Sequence, residues 1–211
     1  MKLWLIVPIK PFGEGKSRLA GALPQSARAQ LSQQLFHHVV RQAVATSVLT
    51  GIIVVSRDPT VLRGFNAPKL HHLYETGYGL NQALTAGRAA ALQQNADAIL
   101  ILPADLPYLT TADIEALYQQ AQRKAGVVIV PSTDNGTNAL LLRPPTAIDF
   151  AYGRDSFSLH CQAAQQAGVP LTVHVAPHLT FDVDNPMDLR HLTPELHHAL
   201  HTSAALPHPA R

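Results

Sequence analysis

The chain has 211 residues, a length that at roughly 150 residues per domain gives one domain with an extension. Apolar residues make up 46% and charged residues 14%, enough for a sizeable core, so wholesale disorder is excluded. Sixteen Lys and Arg against fourteen Asp and Glu leave a net charge of +2 with no basic stripe, which argues against a nucleic-acid partner.

The longest apolar run, Leu3 to Ile9, falls short of the roughly 18 residues a membrane helix needs, and it lacks a signal peptide's cleavage region. No membrane partner is expected, and the expected location is cytoplasmic. The single cysteine, Cys161, excludes an internal disulfide framework and a thiolate metal cluster, and in its Ala/Gln-rich stretch it reads as a packing residue.

Leu3–Ile9 (LWLIVPI) reads as a strand buried on both faces. The loop after it, Pro8 to Leu19, holds two glycines and the cations Lys10, Lys16 and Arg18. Freed backbone amides together with cations suit a polyphosphate. Gly15-Lys16-Ser17 matches the end of a P-loop, but that pattern requires glycine at position 10, where Lys10 stands. Read without a ligand, the loop is a solvated basic turn.

A helix is predicted over Gln30–Val48, where Leu31, Leu35, Val39 and Ala43 make one apolar face. A strand follows at Gly51–Ser56. The glycine-rich stretch Tyr74–Asn81 opens a helix at Leu80–Gln94; its glycines either let backbone approach a flat ring or phosphate, or form a plain loop. The strand Ala98–Leu102 leads into Pro103-Ala104-Asp105-Leu106-Pro107. A carboxylate fixed between prolines at a strand end suits a hard cation, and it equally suits a Walker-B-like role or the cap of the helix Ala112–Lys124. Thr110 or Thr111 can cap that helix, and Thr111 with Ile114-Glu115 reads as an imperfect capping box.

Strands at Val127–Val130 and Ala139–Leu142 flank Ser132–Asn138, and a second small-polar loop, Tyr152–Ser156, opens the helix Ser156–Ala167. Their hydroxyls and amides would grip an anion, or else form an Asn-Gly hairpin turn and a helix cap. After the strand Leu171–Val175, Asp182 and Asp184 stand two apart, so extended backbone points both the same way. Such carboxylates repel unless a cation or donor lies between them. Capping of Met187–His191 by Asp184 or Asn185 is the alternative. The twelve histidines are scattered; His197 and His201 have helical spacing, but no HExxH motif accompanies them, so they read as surface residues.

Alternating strands and helices predict a three-layer α/β sandwich with a mostly parallel central sheet, doubly wound. One domain is expected over residues 1–193, with the His-, Ala- and Pro-rich 194–211 peripheral. In such a sheet ligands bind at the carboxyl ends of the strands, where the loops above lie.

Six pieces in order, between Leu5 and Leu189, resemble the guanylyltransferases of deazaflavin coenzyme F-420 biosynthesis. They are P-x-K-x5-K-S-R-L (Pro8 to Leu19), Gly79-Leu80-Asn81, PADLP (Pro103–Pro107), Gly136-Thr137-Asn138, Gly153-x-x-Ser156-Phe157-x-x-His160, and Asp182-x-Asp184 with Asp188-Leu189. The resemblance implies a glycosyltransferase-A-like nucleotidyltransferase fold. It also implies magnesium-dependent transfer of GMP from GTP to phosphoenolpyruvate, giving enolpyruvyl-diphospho-guanosine and pyrophosphate. The alternative acceptors are 2-phospho-L-lactate and 3-phosphoglycerate. A product passed to the next enzyme of the pathway and a homodimer are further implications.

Carried onto this chain, the resemblance places Pro8, Lys10, Lys16, Arg18, Gly79, Leu80 and Asn81 at the nucleotide. It places Thr137, Gly153 and Ser156 at the acceptor's phosphate, Asp105, Asp182 and Asp184 at Mg2+, and Lys16, Arg18 and Asp105 in catalysis. There are two departures. Asn135 replaces the first of two family glycines, and asparagine tolerates a positive φ. Asp155 stands where a small residue is common; a carboxylate there would repel an anionic acceptor, which leaves the acid's identity open. The competing readings are a same-fold nucleotidyltransferase acting on a sugar phosphate or a molybdopterin, a P-loop-like NTPase, and a non-catalytic nucleotide-binding module.

Overall fold

The first strand, β1 (Leu3–Pro8), is apolar on both faces, and the protein uses both. Leu3, Leu5 and Val7 enter a core covered by α1 (Gln25–Ala45) and α3 (Thr111–Arg123). Trp4 and Ile6 enter a second core covered by α2 (Leu80–Gln93) and α4 (Ser156–Gln166). Side chains that alternate along a strand thus divide between two helix layers, the three-layer sandwich expected. These positions come from a computed structural model, which describes residues 1–77 and 79–192. The expected peripheral segment, with His197 and His201, lies outside the described residues.

The remaining strands are β2 (Leu49–Ser56), β3 (Leu70–Tyr74), β4 (Ala98–Ile101), β5 (Gly126–Pro131), β6 (Thr137–Arg143) and β7 (Leu171–Val173). The seven form one sheet in the order β3-β2-β1-β4-β6-β5-β7. Pairing is parallel except at β6, which runs antiparallel between β4 and β5. From β1 the chain winds outward to β2 and β3, then returns to place β4 on the other side of β1. That reversal opens a crevice between the carboxyl ends of β1 and β4, where α/β sheets hold their ligands. No helix among the described residues is long and apolar enough to cross a membrane.

Several boundaries differ from the sequence reading. α1 starts at Gln25, because Pro24 takes the extended N-cap position that proline's fixed φ favours, and it ends at Ala45, before extended Thr46. β3 has no counterpart in the sequence reading: LHHLY is a half-exposed edge strand, without the continuous apolar run that marks its buried neighbours. Of the two expected caps of α3 it is Thr110 that serves, and its capping box is with Asp113, not the expected box from Thr111. Thr110 Oγ1 accepts from the Asp113 amide, and the Asp113 carboxylate accepts from the Thr110 amide at 2.9 Å. α5 (Pro177–Thr180) is an additional single turn, and Asp188–His191 is a 3-10 turn, not an α-helix; of the two capping candidates, the Asn185 side chain accepts from the amides of Met187 and Asp188.

Candidate active site

The loop after β1 does not run into a helix. It makes two short 3-10 turns, Phe12–Glu14 and Ser17–Leu19, and α1 begins only at Gln25. A P-loop passes from its GKS residues straight into a helix whose first amides cradle phosphates, so that geometry is not present here. Lys16 joins the two turns in the left-handed region, φ 54. This backbone, uncommon for a side chain with a Cβ, turns the lysine inward. Only 7% of its side chain is exposed, and Nζ donates to Asp105 Oδ2 at 2.5 Å and to the Val183 carbonyl at 2.5 Å, with Asp184 Oδ1 at 3.4 Å.

Asp105 leaves the end of β4, while Asp182 and Asp184 come from the segment after α5. The fold brings oxygens of all three within 4.8 Å of one another. The alternation that put both late aspartates on one side is therefore realised. Beyond the cations Lys16 and Arg18, Asp182 has a neutral partner and the backbone at Asp184 is pinned by Asp188. Asn138 Nδ2 donates to Asp182 Oδ1 at 3.2 Å, and the Asp188 carboxylate accepts from the amides of Asp184 and Asn185 at 2.7 Å. Arg18, itself exposed, reaches Asp184 Oδ2 at 2.9 Å.

Electrostatics follow from this crowding. Burial pushes the Asp182 carboxyl up to about 6, reinforced by the Asp105 charge and partly offset by Asn138. Burial works to lower Lys16, but the charge and hydrogen bond of Asp105, with Asp184 and Asp182, outweigh it and leave its pKa raised. Three carboxylates surround one buried ammonium, and Asp105 Oδ1 is buried without a hydrogen-bond partner among the described residues. An all-oxygen donor set with an unspent lone pair and surplus negative charge fits a hard divalent cation.

Next to this charged cluster lies a neutral one. Thr137, the first residue of β6, and Ser156, the first of α4, are buried, and their hydroxyl oxygens are 3.1 Å apart. Buried His160 lies on the same helix; its Nδ1 is 3.1 Å from Thr137 Oγ1 and its Nε2 accepts from the Ala151 amide at 3.0 Å. Gly153, in the loop before α4, has φ +142, a conformation essentially closed to side chains with a Cβ. Thr137 and Asn138 are neighbours on one strand and therefore face opposite ways, one into the hydroxyl cluster and the other toward Asp182.

The other expected nucleotide residues divide. Pro8 ends β1 beside the crevice, and Gly79, at φ +113, caps the start of α2. Lys10 is exposed, and so is the Leu80 side chain at 45%. The Asn81 side chain is already taken up: Oδ1 accepts from the Tyr152 amide at 2.8 Å and Nδ2 donates to the Tyr152 carbonyl at 2.9 Å. What Asn81 has left for a nucleotide is its backbone. The two departures from the family pattern meet each other. Asn135 takes φ +66, as its replacement of glycine requires, and its Nδ2 donates to Asp155 Oδ1 at 3.0 Å.

Three supporting residues were not singled out by sequence reasoning: Asn138, Asp188 and His160. Each lay inside a quoted motif, but nothing in the spacing told which side chain it would orient.

Comparison with known proteins shows the family and the fold. The guanylyl transferase CofC-like family matches residues 3–203. A phosphoenolpyruvate guanylyltransferase of Rubrobacter xylanophilus is 42% identical over 193 residues, covering 91% of this chain and 94% of that protein. One of Sphaerobacter thermophilus is 39% identical, covering 89% and 90%. Among solved structures, a protein assigned as a nucleotide-diphospho-sugar transferase from Desulfovibrio desulfuricans G20 superimposes with a TM-score of 0.74 at 15% identity, covering 90% of this chain and 85% of its own. CMP:2-keto-3-deoxy-manno-octonic acid synthetase complexed with CTP gives 0.61 at 15% identity, covering 90% and 96%. The fold is that of the glycosyltransferase-A-like nucleotidyltransferases, and the chain belongs to the CofC-like guanylyl transferase family.

Proposed function

We propose that the protein transfers GMP from GTP to phosphoenolpyruvate and releases pyrophosphate. The observation that carries this reading is the pairing of two unlike clusters at one end of the central strands: three carboxylates around Lys16, and beside them a buried, uncharged hydroxyl pair. A nucleoside triphosphate with its cation suits the first, and an acceptor phosphate suits the second.

The nucleophile is an oxygen of the acceptor's phosphate, ionised at neutral pH because its second pKa is near 6. It needs no general base. The oxygen attacks the α-phosphorus in line, the bond to the α–β bridging oxygen breaks, and pyrophosphate leaves with that electron pair. The obstacle is repulsion between two anions, so catalysis is positioning and charge neutralisation. Mg2+ held by Asp105, Asp182 and Asp184 would supply Lewis-acid neutralisation of the phosphoryl oxygens. Lys16 and Arg18 hold the triphosphate and the leaving pyrophosphate, with Lys10 beside them. Pro8, Gly79, Leu80 and Asn81 offer backbone to the guanosine. Thr137, Gly153 and Ser156 hold the acceptor's phosphate. The product is a reactive phosphodiester anhydride, suited to hand-over to an enzyme that displaces GMP.

The test is pyrophosphate release from purified protein with magnesium and GTP, with and without phosphoenolpyruvate, with 2-phospho-L-lactate and 3-phosphoglycerate in parallel. Release that requires phosphoenolpyruvate is the expected result. Release with another acid alone replaces the acceptor. Inorganic phosphate from GTP alone overturns the transfer.

A further inference from the structure

His160 has no part in the chemistry above, yet its surroundings leave it little freedom. It is fully buried, the Tyr152 ring stands edge-on at 4.9 Å, and burial holds its pKa down at about 4, so the ring is neutral. Nε2 faces the Ala151 amide, which can only donate. Nε2 therefore carries no hydrogen, and the ring's one proton sits on Nδ1. Thr137 Oγ1 must accept it.

Counting hydrogens fixes the rest. Thr137 and Ser156 bring one hydroxyl hydrogen each, and a single hydrogen bond joins their oxygens. The imidazole has already supplied the donor to Thr137. Whichever hydroxyl donates to the other, one hydroxyl hydrogen is left with no acceptor among the described residues. With the opposite tautomer, Thr137 would donate to the ring, and keeping the bond between the two hydroxyls would then spend the Ser156 hydrogen too and leave only lone pairs to meet an incoming anion.

We infer that His160 is a positioning residue for the acceptor: by donating from Nδ1 it makes the Thr137–Ser156 pair a net hydrogen donor to the acceptor's phosphate. This rests on the assignment of those two residues to that phosphate. The same ring, through Ala151, also fixes the loop that carries Gly153.

Two measurements test it. Long-range 1H–15N correlation of the wild-type imidazoles should place His160 in the Nδ1–H form at neutral pH; an Nε2–H or doubly protonated ring overturns the inference without any variant. Initial rates, with GTP and acceptor varied separately, then compare His160→Gln, His160→Asn and Ser156→Ala. Gln can place its amide where Nε2 was and Asn where Nδ1 was, so only Asn keeps a donor for Thr137. His160→Gln should raise the acceptor KM about tenfold with the GTP KM within about twofold, and His160→Asn should recover most of the loss. Equal rises in both KM values with no recovery in His160→Asn mark a packing role and overturn it. An unchanged acceptor KM in Ser156→Ala removes the underlying assignment, and the inference with it. A raised one there, with His160→Gln unchanged, removes the inference alone.

Discussion

The two halves of the site are built on opposite principles. Around Lys16 charge dominates: an ammonium with 7% of its side chain exposed has one carboxylate at 2.5 Å and another at 3.4 Å, Asp182 adds a third charge, and the neutral groups are the Val183 carbonyl and the Asn138 amide. Around Thr137 no group is charged, and an imidazole, two hydroxyls and a backbone amide are arranged by hydrogen count. One half is governed by Coulomb energy in a poorly solvated crevice, where a missing partner leaves a naked charge. The other is governed by directional bonds worth about 1 kcal/mol each. Substitutions in the charged half should therefore stop the reaction, and those in the neutral half should change which substrate concentration it needs.

Asp105→Asn should break the charged half most completely. It keeps the shape between the two prolines but removes one of the three carboxylates proposed to hold the cation and the main partner of Lys16. Pyrophosphate release should fall on the order of 10³-fold, with the circular-dichroism spectrum unchanged. A wild-type rate in that variant would remove Asp105 from the metal assignment.

Lys16→Met sharpens the same point from the other sign. The methionine fills the space of the lysine stem but leaves three carboxylates facing one another. Turnover should fall by about 10²-fold, since the triphosphate loses its buried cation. Nucleotide-free protein should also melt earlier, and magnesium should restore more of that loss than it adds to wild type, because Nζ no longer competes for Asp105 Oδ2. Thermal melts with and without magnesium read this directly; no magnesium response in either protein contradicts the cation reading.

Asn138 is the seam between the halves. Its amide donates to Asp182 and to the Thr180 carbonyl, while Thr137 beside it serves the hydroxyl pair. Asn138→Leu should loosen Asp182 and weaken magnesium dependence by about 10- to 100-fold, the usual cost of losing a residue that orients a metal ligand. A magnesium titration of the rate should show this while the acceptor KM stays near wild type. A shift in the acceptor KM alone would mean that the seam runs elsewhere.

The charged half was also the more legible in the sequence. Asp105 follows an unbroken apolar strand and sits between prolines, and Asp182 and Asp184 differ by the strand period, so residue type and local geometry pointed to one place. The five strands β1, β2, β4, β5 and β6 were legible for the same reason: buried runs of Val, Ile and Leu have few other readings. β3 was not, because two of its five residues face solvent, none is fully buried, and two are histidines. The hydroxyl half was hidden more deeply. That His160 faces Thr137 depends on a helix and a strand 23 residues apart coming together, and no local spacing encodes it. Asn81 shows the same limit: no local spacing encodes that the partner of its side-chain amide is Tyr152, 71 residues away, which leaves its backbone for the proposed nucleotide contact.

The smallest expected effect concerns the two departures from the family pattern, and it bears on the neutral half alone. Asn135 and Asp155 both hold positive φ, at 66 and 56, and the hydrogen bond between them turns the Asp155 carboxylate toward Asn135. Asparagine at 135 thus does two things at once: it tolerates the turn, and it occupies a carboxylate that lies one residue from Ser156. Asn135→Gly should cost little stability, because glycine's ease at positive φ offsets the lost bonds to Asp155 and Ser158, each about 1 kcal/mol. It should nevertheless raise the acceptor KM by about two- to threefold, as the freed carboxylate repels the incoming phosphate. Adding Asp155→Gly should abolish that rise. If the double variant is no better than Asn135→Gly, the carboxylate does not face the acceptor, and the pair is a feature of the turn with no bearing on which acid is used.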